Sequence, residues 1–318
     1  MCGMCRPPRR RSAGVSGARE PTPPGPNMKQ ILVRLLVLAF LVPAVAPLAG
    51  CNRERNESIR MMNKGLALYR AQRTPEAIKE LEEAVRTDPK NDKAYLYLGM
   101  IQYQRLGDLG TAEKNLRRAI ELKADAFEAH YHLGATLSRK DEWKAAAGEF
   151  EEALKLRPDH AESHLRLGYA MEQLDKYDRA QEAFHEAIRA NPRLPEAYNA
   201  LGNLYRRFEK YSHAAQVLKN AVENNPGYAA NYHDLGLVYQ EQKRFDDAIS
   251  QLEKARTLDP SNPTILFNLG MTYLAAKNGM KALDNLRAYV GRRTASEDAI
   301  RVQTARDIIT RLEAGLAQ

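Results

Sequence analysis

The sequence predicts an all-α fold of seven stacked helical hairpins closed by a C-terminal capping helix, and three observations point to it. First, seven glycines recur every 34 residues with a single step of 35: Gly65, Gly99, Gly134, Gly168, Gly202, Gly236 and Gly270. Second, each is followed after twelve residues (thirteen in the second unit) by Ala77, Ala112, Ala146, Ala180, Ala214, Ala248 or Ala282. Four residues further on stands a large apolar group, Leu81, Leu116, Phe150, Phe184, Leu218, Leu252 or Leu286. Third, a further alanine follows in six units and a proline closes five, at Pro89, Pro158, Pro192, Pro226 and Pro260. A period of this length marks one small unit that cannot bury its apolar face alone and gains a continuous core by stacking.

Each rung has a physical reading. Glycine and alanine let the two helices of a hairpin come close, the large residue fills space between neighbouring units, and proline ends the second helix. With these rungs, residues 58–294 resemble the tetratricopeptide repeat, whose unit is two helices in 34 residues. The resemblance implies a right-handed superhelical solenoid with units at 58–91, 92–126, 127–160, 161–194, 195–228, 229–262 and 263–294. Two units depart from the pattern. The second has Ala124 in place of proline and an extra residue near Gly107–Gly110, and the seventh has Tyr289 in place of alanine.

Residues 295–318 read as the cap. Ser296 offers a helix N-cap, and Val302, Ala305, Ile309, Leu312 and Leu316 fall on one face of an amphipathic helix. Such a helix covers the open end of a solenoid.

The other end carries a different signal. Residues 28–50 combine the basic Lys29 and Arg34, an apolar run from Leu35 to Ala46, and the small residues Ala49 and Gly50 before Cys51. The run is short for a membrane span and reads as an export signal. Leu48-Ala49-Gly50-Cys51 resembles the lipobox of bacterial lipoproteins. That resemblance implies a covalent lipid on Cys51, which becomes the first residue of the mature chain, with 51–57 as a lipidated tether. More than one acyl chain is needed for stable anchoring. Residues 1–27, rich in Arg, Pro and Gly, then read as a misassigned start or a disordered tail. Asn52, rather than aspartate, follows the cysteine. By the sorting rule of enteric lipoproteins this favours the outer membrane, facing the periplasm.

Charge and chemistry narrow the function. The chain carries +8, but residues 1–27 hold five arginines against one glutamate and the signal adds Lys29 and Arg34, so +2 remains after Cys51. Nucleic-acid binding is not expected. Cys2 and Cys5 have no second pair or histidine nearby for zinc, and Cys51 alone survives processing, so no disulfide is expected. His160 and His164 stand at i,i+4 but lack the His-Glu-x-x-His pattern, and His130 and His164 share one repeat position. No phosphate loop or nucleophile elbow is present. Neither a catalytic site, a metal, nor a cofactor other than the lipid is expected.

What remains is a binding groove. The family lines its groove with the second, fifth, ninth and twelfth residues of each first helix. By that register the lining includes Ile59, Met62, Leu66, Tyr69, Lys93, Leu96, Met100, Tyr103, Tyr131, Leu165 and Tyr169. It turns polar through Glu162, Glu196, Asn199, Asn203 and Arg206, and ends on Leu237, Phe267, Met271 and Leu274. The apolar half either holds an apolar strand or amphipathic helix of a partner, or some of its residues pack against the tether or extend the core. A clamp for a peptide carboxylate is incomplete, since Asn199 stands where a lysine is needed. Lipobox plus repeats resemble the pilotin lipoproteins of type IV pili, which implies an outer-membrane secretin subunit as partner. The alternative is a periplasmic adaptor that delivers substrates to an envelope protease or peptidoglycan enzyme.

Overall fold

Each unit holds two stretches of good helix formers separated by short polar turns, and each stretch folds as a helix. The computed structural model describes residues 46–292 and 299–316, with side chains over 52–292 and 299–315. Residues 1–27, the signal segment 28–45 and Ser296 lie outside the described residues. The chain divides into Met1–Glu54 and Arg55–Gln318, and the packing below belongs to the second.

The helices run in sequence order. α1 (Ala46–Arg70) and α2 (Thr74–Thr87) form the first hairpin. α3 (Asp92–Ile101), extended by a π-turn over Gln102–Leu106, pairs with α4 (Leu109–Leu122). The third and fourth hairpins are α5 (Phe127–Arg139) with α6 (Trp143–Leu156), and α7 (Ala161–Gln173) with α8 (Tyr177–Ala190). Next come α9 (Pro195–Arg207) with α10 (Tyr211–Asn224), and α11 (Ala229–Glu241) with α12 (Phe245–Leu258). α13 (Pro263–Ala275) pairs with α14 (Gly279–Arg292), and α15 (Ala299–Leu316) closes the chain. Segment 51–57, read from sequence as a tether, lies within α1. Nothing between residues 51 and 64 is proline or glycine, and Pro47 sits in the first turn, where its missing amide goes unnoticed.

The glycine ladder sets the hairpin geometry. A Cβ on each rung would strike the large residue of the same unit's second helix. The separation would be 2.9 Å at Gly65 against Leu81, 2.6 Å at Gly99 against Leu116, and closer still at Gly168 against Phe184. The large residue thus fills the hairpin's own interior as well as the joint to the next unit. Leu81, for example, packs with Leu98 and Ile101 of the second unit. A buried polar joint adds to this seam: Ser58 Oγ donates to Ala84 O at 2.7 Å, and Asn91 Nδ2 donates to Ser58 Oγ at 2.8 Å.

The turns inside the hairpins share one conformation. Gln72, Asp141, Asp175, Glu209, Lys243 and Lys277 all hold φ between 56° and 61°, and Gly107 holds 66°. In the six non-glycine turns the following amide reaches five residues back, as Glu142 N does to Leu137 O at 3.0 Å, which satisfies carbonyls at the helix end. Only the second unit uses glycine here. Its extra residue is absorbed just upstream, in the π-turn, where both Gly107 N and Asp108 N bond Gln102 O.

First helices of adjacent units also pack side by side, α3 on α5 through α11 on α13, so they form the inner side of the stack. The cap covers the last unit: Val302, Ala305 and Ile308 are buried with Leu286 and Tyr289, while Ile309 and Leu312 are half-buried at the edge. Tyr289 departs from the repeat because its ring fills this terminal joint, 5.1 Å from that of Phe267.

The histidines serve the fold. His130 bonds Ala124 O at 3.0 Å and Glu149 at 2.7 Å, and His164 bonds Pro158 O at 2.8 Å, the same carbonyl position of the next unit. His160 caps α7, accepting from Ser163 N at 3.1 Å. Among the described residues no group of three or more His, Cys, Asp or Glu could hold a metal ion.

Two contrasts test this packing. Gly148 lies in α6 with nothing near its absent Cβ. Gly148→Ala should therefore gain about 0.5–1 kcal/mol in urea unfolding, whereas Gly168→Ala should lose about 1–3 kcal/mol by displacing the fully buried Phe184. The second contrast concerns pH. Burial holds His132 down at about 4, whereas the Glu149 hydrogen bond raises His130. The unfolded chain protonates His132 first, so its contribution is complete above about pH 6.5 and is lost as pH falls toward 4. The His130 contribution is complete below that same unfolded value and is lost as pH rises through the raised folded value. Stability profiles from pH 4 to 8 should show a flatter acid limb for His132→Leu, and for His130→Ala a loss at every pH that is greater on the acid side.

Candidate partner-binding face

The inner helices α1, α3, α5, α7, α9, α11 and α13 place the groove register along one side of the stack. Met62 does not belong to that surface. It is 6 % exposed and packs with Leu81, Ala94 and Leu98, because α2 and α3 both close over this face of α1. Leu66 and Met100 are half-buried. Leu96, Tyr103 and Tyr131 are half-buried against the cluster of Leu116, Leu133 and Phe150. Tyr169 lies edge-on to Phe184, with 37 % of its surface exposed. Cys51 falls within α1.

The tyrosines are polar in use. Tyr69 hydroxyl donates to Gln104 Oε1 at 2.9 Å, and the Arg105 guanidinium lies 5.5 Å from its ring centre. Arg139 stacks over Tyr103 at 5.2 Å and donates to the Tyr103 carbonyl at 3.0 Å, which the end of the helix leaves without an amide partner. Burial raises the Tyr131 and Tyr169 hydroxyls. The surface expected to be bare and apolar is therefore a mixed face of tyrosine and arginine. Sequence reasoning missed the arginines because the groove register stops at the twelfth position of each unit. Arg70 and Arg139 occupy the thirteenth and Arg105 the fourteenth, just beyond it. Continuing the repeat alignment by two residues would have found them.

The second half of the face is knitted together internally. Asn199 donates to Asp234, His233 Nδ1 meets Asp234 at 3.0 Å, and Asn268 Nδ2 lies 2.8 Å from His233 Nε2. These bonds join the inner helices of three successive units, α9, α11 and α13. The Asn199 oxygen remains buried without a partner. Exposed Asn203 and half-buried Arg206 line a neighbouring hollow with Leu237, Gln240 and Asn268. Phe267, Met271 and Leu274 pack beneath the cap helix.

In fold the chain is similar to a tetratricopeptide repeat protein from Parabacteroides merdae, with a TM-score of 0.58 and 16 % identity over 81 % of this chain and 99 % of that one. It is similar to pilF of Pseudomonas aeruginosa, with a TM-score of 0.56 and 18 % identity over 67 % and 96 %. Yeast Tom70 matches with a TM-score of 0.55 and 19 % identity over 82 % of this chain and 55 % of its own. No curated protein matches the chain in sequence. Profiles described as TPR repeat match residues 65–105 and 236–276, and profiles described as tetratricopeptide repeat match 102–159, 149–182 and 170–229. Together these matches span well over half the sequence, and with the hairpin stack they place the chain in the tetratricopeptide-repeat family.

Proposed function

We propose that this chain is a lipid-anchored, non-catalytic scaffold that holds a protein partner on its inner helices. Its task is the assembly of an outer-membrane structure, in the manner of the secretin pilotins of type IV pili. The observation that carries the reading is the placement of half-buried Leu66, Tyr69, Leu96, Met100, Tyr103 and Tyr131 along one inner face, in a chain whose export signal ends in Leu-Ala-Gly-Cys. Side chains of this kind bring apolar area, adaptable shape and hydroxyl groups to a partner surface. Asn52 after the lipid-bearing cysteine supports delivery to the outer membrane.

Two experiments test the reading. Replacing Cys51 with Ala should remove labelled palmitate from the protein and shift it from the membrane pellet to the soluble fraction, as multiple acyl chains supply the anchoring. Unchanged pelleting would reject lipid attachment. Leu66→Glu with Tyr103→Glu should keep the helical circular-dichroism signal, because both side chains lie at the half-buried inner surface. Crosslinked capture of the partner from membranes should fall at least to background. A pilotin also requires loss of secretin multimers in the double variant, whereas altered turnover of one envelope protein would favour the adaptor reading.

A further inference from the structure

Arg70, Arg105 and Arg139 end the inner helices of three successive units at equivalent places, and all three side chains are exposed. Among the described residues none of them forms an ion pair, in a surface otherwise rich in such pairs. Three neighbouring carboxylates are turned elsewhere: Asp108 accepts from Thr111 N at 3.1 Å, and Glu113 and Glu142 both hold Lys140 at 2.5 Å. Two of the guanidinium groups are oriented by stacking on Tyr69 and Tyr103. The row stops at the fourth unit, where Gln173 takes the position, and Arg207 in the fifth is held by Glu172 at 3.5 Å and by the Tyr177 hydroxyl at 3.0 Å. Oriented, unpaired cations in a line form a site for fixed negative charge.

We infer that the partner segment on units one to three is an extended acidic peptide whose carboxylates recur at every third residue. The proposal rests on the protein-binding reading above and specifies the chemistry of the partner. Adjacent packed helices lie about 8–10 Å apart, and an extended polyproline II chain advances about 3.1 Å per residue with three residues per turn, which brings every third side chain to the same face. Three residues therefore carry the chain from one arginine to the next. The residues between the acids turn to either side of that line, beside Tyr69, Leu96 and Tyr103, which favours apolar or aromatic side chains there. Charge complementarity selects this occupant, and the row selects its shape: a narrow extended chain can follow the ends of consecutive inner helices one after another, whereas a flat bilayer cannot follow a curved row.

The test uses the soluble chain from residue 52 and three fluorescein-labelled nine-residue peptides. One carries Asp at positions 1, 4 and 7 with Leu and Tyr between, the second has the same composition with the three Asp adjacent, and the third has Asn for every Asp. Fluorescence anisotropy should show the spaced acidic peptide binding, with affinity falling as salt rises. Arg70→Gln/Arg105→Gln/Arg139→Gln should weaken it about tenfold while circular dichroism stays unchanged, as three exposed ion pairs of modest strength are lost. Equal binding of the Asn peptide, or no effect of the triple variant, overturns the acidic assignment. Equal binding of the clustered peptide overturns the spacing. Arginine-dependent binding to phosphatidylglycerol vesicles with no peptide binding overturns the peptide as occupant. If the triple variant still captures the membrane partner while Leu66→Glu/Tyr103→Glu does not, the ladder is wrong and the scaffold reading stands. If neither variant affects capture, the groove itself is not the docking site.

Discussion

Everything in this stack depends on one contact repeated seven times, the bare Cα of a first-helix glycine against the large apolar side chain of the second helix. With no Cβ on the glycine, Leu81, Leu116 or Phe184 can lie directly on the backbone of its partner helix. Each of these side chains is fully buried, so the contact excludes water and sets the hairpin's separation at the same time. The same side chain then reaches the next unit, so one residue fixes both the internal and the external joint. A solenoid owes its stability to nearest-neighbour terms of this kind, with no central core to compensate for a weak joint.

The ends and irregularities of the stack follow from that requirement. A final unit has no successor to cover it, and Tyr289 replaces the expected alanine because a bulky ring can fill the joint with α15. The second unit carries an extra residue, and a helix cannot absorb one without rotating everything beyond it by about 100°. The π-turn at Gln102–Leu106 takes it up locally, and Gly107 supplies the left-handed residue that ends the helix. The contact of Gly99 with Leu116 is thereby kept.

The fold was legible in the sequence because its determinants are periodic. Gly168, Ala180 and Phe184 recur in register with their neighbours, and a repeated contact leaves a repeated trace. Turn residues such as Asp141 and Lys243 left none, since αL geometry at a helix end tolerates several polar residues at a cost of about 1–2 kcal/mol relative to glycine's freedom. The surface was only half legible. Met62 sits in register with the groove, but α2 and α3 bury it, and no pattern within α1 announces which of its faces a neighbour will cover. The pairing of Arg139 with Tyr103 was invisible for another reason: it joins residues 36 apart and is set by unit stacking alone.

The two halves of the inner face differ in what binding would demand of them. In units five to seven the side chains of Asn199, Asp234, His233 and Asn268 are already hydrogen-bonded to one another across helices, with only the Asn199 oxygen left over among them. A ligand there must first break bonds in a low-dielectric setting, where an abandoned donor or acceptor costs about 1–3 kcal/mol. In units one to three Arg105 and Arg139 are oriented by aromatic faces, and among the described residues neither they nor Arg70 has an anionic partner, so a ligand there adds ion pairs without breaking any. Stacking also restricts the side chains beforehand, which lowers the entropy lost on binding. The same helical scaffold thus uses one end of its inner face to brace adjacent units and leaves the other end chemically open, which is where a partner gains most from docking.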